Sequence, residues 1–424
     1  MINIKLPVID DLVNKGANIK INKFNLYSSI FEHIPKMSFK FTTDYLMPDS
    51  LDLTIGSSFP VQYTFSDGTE ASETEKKDFA GLCVDDVSIE TANGSNLTTV
   101  VDMVGELDYF QNSSEHKAYT NKYGNDIVED VLDSNMTIKS YTRNIKKTDN
   151  VTTLYRTIGY SDTDFIRECV SKNFVISGGQ PLFFTSLDRT ANFTSVNAIN
   201  ETSDKPKLLL NWQTTYDSLS QSFVDSQLKT LLDDNYISLS TNDLKFKLGG
   251  KGSNKNIKNI LYSFDTTKGV LNKNGYVVKP GTMQSEYYPI SKTFMNFMKS
   301  TQTVLVSNRP QSNIAFEAIN TFDSPEKLIM MQATINDISK LQSLVVAGDR
   351  IVVITANPYS IYNGIYTIAT VEYGQDTAAP FMTLTLIRAT VDMSWAEGIK
   401  TNKGQKDWKY SYMPNIQKSN FYYD

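Results

Sequence analysis

The chain has 424 residues, of which 40% are hydrophobic and 21% are charged, and its formal net charge is −6. A chain of this length exceeds one ordinary core and predicts about two to four domains, and its hydrophobic content excludes wholesale disorder. Acidic and basic residues are interleaved, which excludes a surface built to coat nucleic acid, because such a surface needs a basic face.

The amino-terminal stretch "MINIKLPVIDDLVNKG" does not resemble an export signal, because it has no apolar block of the needed length and acids arrive by Asp10. No apolar stretch of the chain approaches the roughly 20 residues that span a bilayer. We therefore expect a protein that folds in a cytosol and does not insert into a membrane.

The first predicted strands follow. In "KMSFKFTTD", Met37, Phe39 and Phe41 alternate with polar residues, as in a half-buried strand. "GLCVDDVSIETANGSNLTTVVDMVG", from Gly81 to Gly105, reads as two strands joined by a polar turn. We interpret residues 1–110 as a first small β-barrel, since closure removes exposed sheet edges.

The middle of the chain changes character. Residues 124–135 and 161–174 each begin with capping residues and place an apolar stripe on one helical face. They predict a helix-containing middle domain over residues 111–205. A longer helix is predicted over 214–234, followed by a pair of strands, and residues 249–324 loosen into a peripheral insertion.

The stretch from Gly348 to Thr390 repeats the order of strands and glycines already seen between residues 55 and 105. The equivalent positions are Lys36 and Lys327, Gly56 and Gly348, Gly81 and Gly364, and Leu97 and Met382, which lie 291, 292, 283 and 285 residues apart. A nearly constant separation indicates a duplicated unit, although chance resemblance between β-rich segments is the alternative. We interpret residues 206–248 and 325–390 as a second small β-barrel.

The predicted fold class is therefore β-rich α+β. Two similar small β-barrels are separated by a helix-containing middle region and a peripheral insertion.

Groups for catalysis or metal binding are few. The two histidines, His33 and His116, stand in unrelated contexts, and no His or Cys pair has the spacing of metal ligands. Cys83 and Cys169 are interpreted as buried thiols rather than a disulfide. "GGKGSNK", from Gly249, lacks the end of a phosphate-binding loop. We predict no catalytic residue, no metal and no cofactor.

Three classes of function stay open on these residues alone. A structural assembly protein is favoured, because the chain has two barrels and no catalytic constellation. A secreted or virion-associated carbohydrate-binding protein, or a carboxylate-dependent glycan hydrolase, is the alternative. The hydrolase would use carboxylates such as Asp85 with Asp86, or Asp233 with Asp234. However, adjacent strand residues point to opposite faces, and the second pair ends a helix where solvation explains it.

The carboxyl-terminal segment, residues 391–424, is rich in aromatic residues with lysines among them. Exposed rings are unfavourable in water, so we expect them to dock, either on the chain's own barrel or on a neighbouring subunit or partner protein. The candidate interface residues are Trp395, Trp408, Tyr410, Tyr412, Phe421, Tyr422 and Tyr423.

Four stretches resemble a known family. They are "NKFNLYSSIFEHIPKMSFKFTTD", "FAGLCVDDVSIETANGSNLTTVVDMVGELDYFQN", "LLLNWQTTYDSLSQSFVDSQLKTLLDDNYISLS" and "VVAGDRIVVITANPYSIYNGIYTIATVEY". Together they resemble the baseplate hub proteins of contractile-tailed bacteriophages, whose fold is shared with the amino-terminal part of type VI secretion spike proteins. The resemblance covers residues 22–390 in outline and rests on apolar residues and glycines.

The resemblance implies a homotrimeric virion protein that is not an enzyme. Two barrels per chain would form a pseudo-sixfold ring that fits the sixfold tail tube on one side and presents a threefold platform to a central spike on the other. The implied partners are the chain itself, the tail tube protein, the central spike protein and baseplate wedge proteins. DNA would only pass through the channel, to which the net negative charge is suited. Assembly in the host cytoplasm and residence in the tail baseplate follow.

Overall fold

The structure is a computed structural model, and the statements below concern the residues it describes. These are residues 2–5, 13–14, 18–43, 54–57, 62–65, 77–78, 82–91, 97–108, 116–134, 141–177, 179–212, 215–241, 243–248, 258–265, 270–277, 302–307, 329–341, 343–360, 362–375, 380–388 and 394–395.

The first part of the chain is built from strands. They are β1 (Ile2–Lys5), β2 (Ile19–Ser29), β3 (Lys36–Thr43), β4 (Gln62–Phe65), β5 (Lys77–Asp78), β6 (Leu82–Thr91) and β7 (Leu97–Gly105), with a 3-10 turn at Glu106–Asp108. The predicted alternation in β3 is confirmed, because Met37, Phe39 and Phe41 are all buried.

The middle part mixes strands and helices. Its elements are β8 (Lys117–Tyr123), α1 (Gly124–Ser134), β9 (Thr142–Ile145), β10 (Val151–Arg156), α2 (the consecutive segments Asp162–Asp164, Phe165–Val170 and Ser171–Asn173, the central one a π-helix), β11 (Leu182–Thr185), β12 (Thr190–Thr194) and α3 (Val196–Asn200). The first two predicted helices are therefore confirmed. Ser161 caps α2 by accepting the Asp164 N–H, as a serine at that position should.

The last part returns to strands around one helix. It contains β13 (Leu208–Trp212), α4 (Ser218–Leu231), β14 (Ile237–Thr241), β15 (Asp243–Leu248), β16 (Lys258–Asp265), β17 (Val270–Val277), β18 (Gln302–Ser307), β19 (Ile329–Ile335), β20 (Arg350–Ile354), β21 (Gly364–Gln375) and β22 (Pro380–Arg388). Helix α4 confirms the third predicted helix, and Asp217 caps it by accepting the Ser220 N–H.

One sheet of eleven strands organises the molecule. Its main path runs β14, β13, β20, β21, β2, β3, β7 and β6, and a second path leaves β21 through β22 and β19 to β15. Smaller sheets are formed by β1, β4 and β5, by β8 and β10, by β9, β12 and β11, and by β17, β16 and β18. The chain is thus β-rich, as predicted.

Two separate closed barrels are not what the described strands form. β2 from the first part pairs with β21 from the last part, so both predicted barrels share one continuous sheet. In the last part the sheet bends back on itself, since the Thr241 hydroxyl at the end of β14 donates to the Thr334 carbonyl of β19 at 2.7 Å. No ladder joins β14 to β19 among the described pairings. The predicted pair β14 and β15 also separates, because each strand pairs with a different neighbour.

The duplication is visible in the order of strand pairing. In the first repeat β2 pairs with β3, β3 with β7 and β7 with β6; in the second, β15 pairs with β19, β19 with β22 and β22 with β21. All six pairings are antiparallel. The two repeats thus have the same strand order, which chance resemblance between β-rich segments does not explain.

Irregular features recur at equivalent places in both repeats. The ladder of β6 with β7 shifts register between Val84 and Asp86, and that of β21 with β22 shifts between Ile368 and Thr370. Such bulges re-aim a strand and are specific features of a fold.

A glycine turn precedes each bulge. Gly56 and Gly348 have φ values of 82° and 97°, which glycine adopts readily. Their N–H groups donate to the carbonyls of Val84 and Ile368, both at 2.8 Å. The bonds in the opposite direction also match, since the Val84 N–H donates to the Ser57 carbonyl and the Ile368 N–H donates to the Asp349 carbonyl. The equivalence of Gly56 with Gly348 inferred from the sequence is therefore correct, whereas Gly81, which was matched with Gly364, lies outside the described residues.

The sequence comparison is out of register elsewhere. Met37 pairs with Met103, which pairs with Val84; Met331 pairs with Leu386, which pairs with Ile368. Met37 and Met331 are therefore equivalent, and Lys36 corresponds to Met330 rather than to Lys327. A slip of three residues exchanges the two faces of a strand, since side chains alternate with a period of two. Short apolar alternations do not fix such a register by themselves.

The middle part has its own apolar core, centred on α1 and α2. Ile127, Val128, Val131 and Leu132 of α1 are all buried, as their helical spacing predicts. The core also contains a buried ion pair. The Arg156 Nη2 donates to the Asp162 Oδ1 at 2.7 Å, and the two side chains are 0% and 1% exposed.

Replacement of Asp162 by Asn should strongly destabilise the middle part. It removes the carboxylate charge beside the buried Arg156 guanidinium, and breaking such a pair costs about 3–5 kcal/mol. Glu168→Gln is the matched control, because it breaks an exposed ion pair with Lys172 on α2, which is worth about 0–1 kcal/mol. Urea unfolding followed by circular dichroism measures both. Equal losses in the two variants would contradict a structural role for the buried pair.

Candidate assembly site at the junction of the repeats

The two repeats meet along one antiparallel ladder, which we call the internal junction. It consists of residues 24–29 of β2 and 370–375 of β21, paired in register from Phe24 opposite Gln375 to Ser29 opposite Thr370. The Ile30 N–H extends it by donating to the Ala369 carbonyl at 2.9 Å. The backbone of the first repeat thereby completes an edge strand of the second.

The centre of the internal junction is apolar. Leu26 lies opposite Tyr373, and the two side chains are 0% and 2% exposed. The Tyr373 hydroxyl accepts the Val345 N–H at 2.9 Å and donates to the Val345 carbonyl at 3.0 Å, so the buried phenol is satisfied. The ladder is therefore backed by a single core that contains residues of both repeats.

Each repeat keeps one open edge among the described residues. Residues 86–91 of β6 pair only with β7, and β15 pairs only with β19. These edges are the counterparts of β21 and β2, which the internal junction brings together. An open strand edge presents unpaired N–H and carbonyl groups and is a template for pairing with another chain.

The predicted acidic pairs do not form a catalytic arrangement. Asp85 and Asp86 lie at the bulge of β6 and are both exposed, so the bulge replaces the alternation of faces that the sequence predicted. Asp233 and Asp234 follow α4, where the Asp233 carboxylate accepts the Asn235 N–H at 3.0 Å. Solvent exposure and turn formation account for all four residues.

The histidines and cysteines also lie apart. The His33 carbonyl accepts the Thr185 N–H at 2.9 Å and so ties the first repeat to the middle part. His116 is exposed at the start of β8. Cys83 is buried, Cys169 is half-buried, and they form no disulfide. Within the described residues, no group of three or more His, Cys, Asp or Glu residues is arranged to hold a metal ion, and no helix is both long and apolar enough to span a bilayer.

One buried carboxyl has a perturbed pKa. Burial, together with the nearby Asp188, raises the pKa of Asp349 to about 6, against the lowering effect of the hydrogen bond from the Val346 N–H. The Asp349 carboxyl accepts the Val346 N–H at 3.0 Å, and this bond closes the turn that leads into β20. The turn itself needs Gly348, because a Cβ there would lie 3.2 Å from the Phe184 ring at a positive φ. We assign the carboxyl to turn formation.

Of the aromatic residues predicted in the tail, the structure describes Trp395. It is fully buried in an apolar cluster with Val224 and Leu228 of α4, and its ring makes an edge contact with Phe223 at 6.0 Å between centroids. Trp395 therefore packs on its own chain. Trp408, Tyr410, Tyr412, Phe421, Tyr422 and Tyr423 lie outside the described residues.

No protein-family model and no curated protein matches the sequence, but solved structures are similar to it. The 43 kDa tail protein of prophage MuSo2 from Shewanella oneidensis has a TM-score of 0.50 and 11% identity, covering 88% of this chain and 98% of its own. The tail protein from Neisseria meningitidis MC58 has a TM-score of 0.54 and 10% identity, covering 90% and 98%. A component of the type VI secretion system from E. coli has a TM-score of 0.46 and 11% identity, covering 91% and 76%. The chain has the fold of the two tail proteins, so the predicted resemblance to phage tail hubs is confirmed as a likeness in fold.

Replacement of Leu26 by Ala should destabilise both repeats together. Leu26 is completely buried at the internal junction, and truncation of such a residue leaves a cavity that costs about 2–5 kcal/mol. Ile21→Ala on the same strand is the control, because Ile21 is 40% exposed and its truncation should cost about 0.5 kcal/mol or less. Urea midpoints of the two variants provide the comparison. The junction loses its assigned role if Leu26→Ala is as mild as Ile21→Ala.

Proposed function

We propose that this chain is a structural hub of a bacteriophage tail baseplate. In this proposal it forms a homotrimer that adapts the sixfold tail tube to a threefold central spike and surrounds part of the DNA channel. The likeness in fold to tail proteins supports a role in a tail. The observation that carries the trimer is the internal junction, which joins two equivalent repeats edge to edge.

A contact between unlike edges can be repeated from one unit to the next. Such heterologous contacts form a closed ring when their rotation returns to the start, and an open filament when it does not. One chain supplies two repeats, the internal junction that joins them, and two open edges that are the counterparts of the two joined edges. Three chains would give six repeats in a ring, which matches a sixfold tube while leaving true threefold symmetry for a spike.

The other assignments belong to the same proposal. One face of the ring would bind the tail tube protein and the other the central spike protein, with baseplate wedge proteins outside. DNA passes through without specific binding, to which the net charge of −6 is suited. The role is structural and not enzymatic, and the place is the virion after assembly in the host cytoplasm.

The predicted domains also stay part of the proposal. Residues 1–110, and 206–248 with 325–390, would be the two tube-type units, with 111–205 as the middle domain and 249–324 as the insertion. We propose that their strands complete a barrel in the assembled ring. The wall would then be continuous between subunits, as it is between the repeats of one chain.

The mass of the purified protein tests the trimer. Native mass spectrometry over a wide concentration range should give a species of three times the 47.7 kDa of one chain. Negative-stain images of that species should show a ring with six lobes around a channel. A protein that stays monomeric at every concentration, or that forms only dimers, would contradict the proposed hub.

The tail supplies a second test of the same proposal. We propose that the aromatic residues beyond Trp395 reach a neighbouring subunit or a baseplate partner. Truncation after Gly398 keeps Trp395 and should leave the melting temperature unchanged while weakening assembly. Trp395→Ala is the control with the opposite result, because loss of a buried tryptophan costs about 3–5 kcal/mol of stability. Normal assembly of the truncated chain would contradict a partner-binding tail.

A further inference from the structure

The two open edges of the chain are counterparts of the two edges that the internal junction joins. The equivalence follows from four-residue ladders that cross each repeat. The ladder of the first repeat is Leu26, Met37, Met103 and Val84, and that of the second is Phe246, Met331, Leu386 and Ile368. Phe246 on β15 is therefore the counterpart of Leu26 on β2.

The other side of the junction has a counterpart too. The bulges make Asp86 equivalent to Thr370, and counting along both strands places Ile89 at the position of Tyr373. Both positions are three residues beyond the bulge and face the same side of the sheet. Since Leu26 lies opposite Tyr373 inside one chain, the same geometry places Phe246 opposite Ile89 between chains.

Exposure distinguishes the closed junction from the open edges. Leu26 and Tyr373 are 0% and 2% exposed, whereas Phe246 and Ile89 are 41% and 42% exposed. The Phe246 ring contacts Tyr362 at 4.6 Å between centroids, so one side is covered and the other is open. A large apolar side chain at each of two complementary edges is suited to burial against the other.

Charge supports the same register. One position before Phe246 and one after Ile89 stand Lys245 and Glu90, whose side chains are 71% and 60% exposed. In the junction register these two residues lie directly opposite each other. The Ile30 N–H donates to the Ala369 carbonyl directly opposite, so these two residues form a hydrogen-bonded pair. Hydrogen-bonded pairs recur at every second residue of an antiparallel ladder, and Leu26 and Tyr373 lie four residues away along their strands, so they also form a hydrogen-bonded pair. Lys245 and Glu90 then form the intervening pair, in which cross-strand side chains are closer.

We infer that β15 of one copy of this chain pairs antiparallel with residues 86–91 of β6 of the next copy, with Phe246 opposite Ile89 and Lys245 opposite Glu90. The occupant of each open edge is thus a second copy of the chain. The inference rests on the proposed assembly for the number of copies, but the pairing and its register come from the internal junction alone.

Disulfide cross-linking tests the register directly. In the double variant Glu90→Cys with Lys245→Cys, oxidation should link each subunit to the next and give covalent trimers on a denaturing gel. The single variants control for links through Cys83 and Cys169. Glu90→Cys with Lys229→Cys is the matched negative, since Lys229 is exposed on α4, which belongs to neither edge. Links no more frequent than in these controls, or links within one chain, would overturn the pairing.

Charge exchange tests the same contact without a covalent bond. Lys245→Glu places like charges opposite each other and should raise the concentration at half-assembly several-fold. Adding Glu90→Lys in the same chain restores opposite charges at every joint and should return that concentration to near the wild-type value. Glu90 and Lys245 also lie near Lys40, at 2.8 Å, and Asp243, at 4.0 Å, so thermal unfolding of each variant checks the monomer. Failure of the second substitution to rescue assembly would contradict the register.

The outcomes separate this inference from the proposed function. A wild-type trimer without cross-links between positions 90 and 245 would support the proposed hub and contradict the pairing of β15 with β6. Efficient cross-links in a ring or filament of another number of copies would support this pairing and contradict the trimer. A monomeric wild type without cross-links would reject both.

Discussion

The pairing of β2 with β21 is the contact on which the rest of the structure depends. It joins strands that lie more than three hundred residues apart in sequence, so the chain must close a long loop before the pairing contributes to stability. What offsets that cost is the shared core behind it, in which Leu26 and Tyr373 are both buried. Because the register of one strand fixes which face is apolar, this one ladder also sets the orientation of both repeats relative to each other.

The duplication persists in backbone geometry more clearly than in sequence. Gly56 and Gly348 share a positive φ and the same backbone bonds to their partner strands, and the bulges at Asp86 and Thr370 each fall two residues after the residue whose carbonyl accepts the glycine N–H. The side chains around these features have changed, as between Phe39 and its counterpart Ala333. A bulge constrains the backbone and tolerates many side chains, which explains why strand order survives where sequence identity does not.

Local patterns predicted local structure well. The apolar spacing of Ile127, Val128, Val131 and Leu132 placed α1 within one residue of its end, and the alternation of Met37, Phe39 and Phe41 identified β3. The pairing of strands was harder to predict from the sequence, because the same alternation fits a strand in any sheet. The sequence therefore suggested closed barrels where β2 and β21 form a shared sheet, and it aligned Lys36 three residues from its counterpart. The exposure of Ile89 and Phe246 could not be predicted either, because an apolar residue in a strand pattern is usually interpreted as buried.

Two strand edges stay open among the described residues and can serve as templates for pairing with another chain. Charges are one common protection of open strands, and both edges carry them, but residues 86–91 and β15 each also carry a large exposed apolar side chain at the centre of the edge. The flanking Glu90 and Lys245 have opposite charges on the two edges, so pairing of unlike edges is favoured and pairing of like edges is opposed. Such an edge favours one partner edge over the other and also one strand direction. The internal junction has the equivalent backbone pairing, between β2 and β21, where the two repeats of one chain meet.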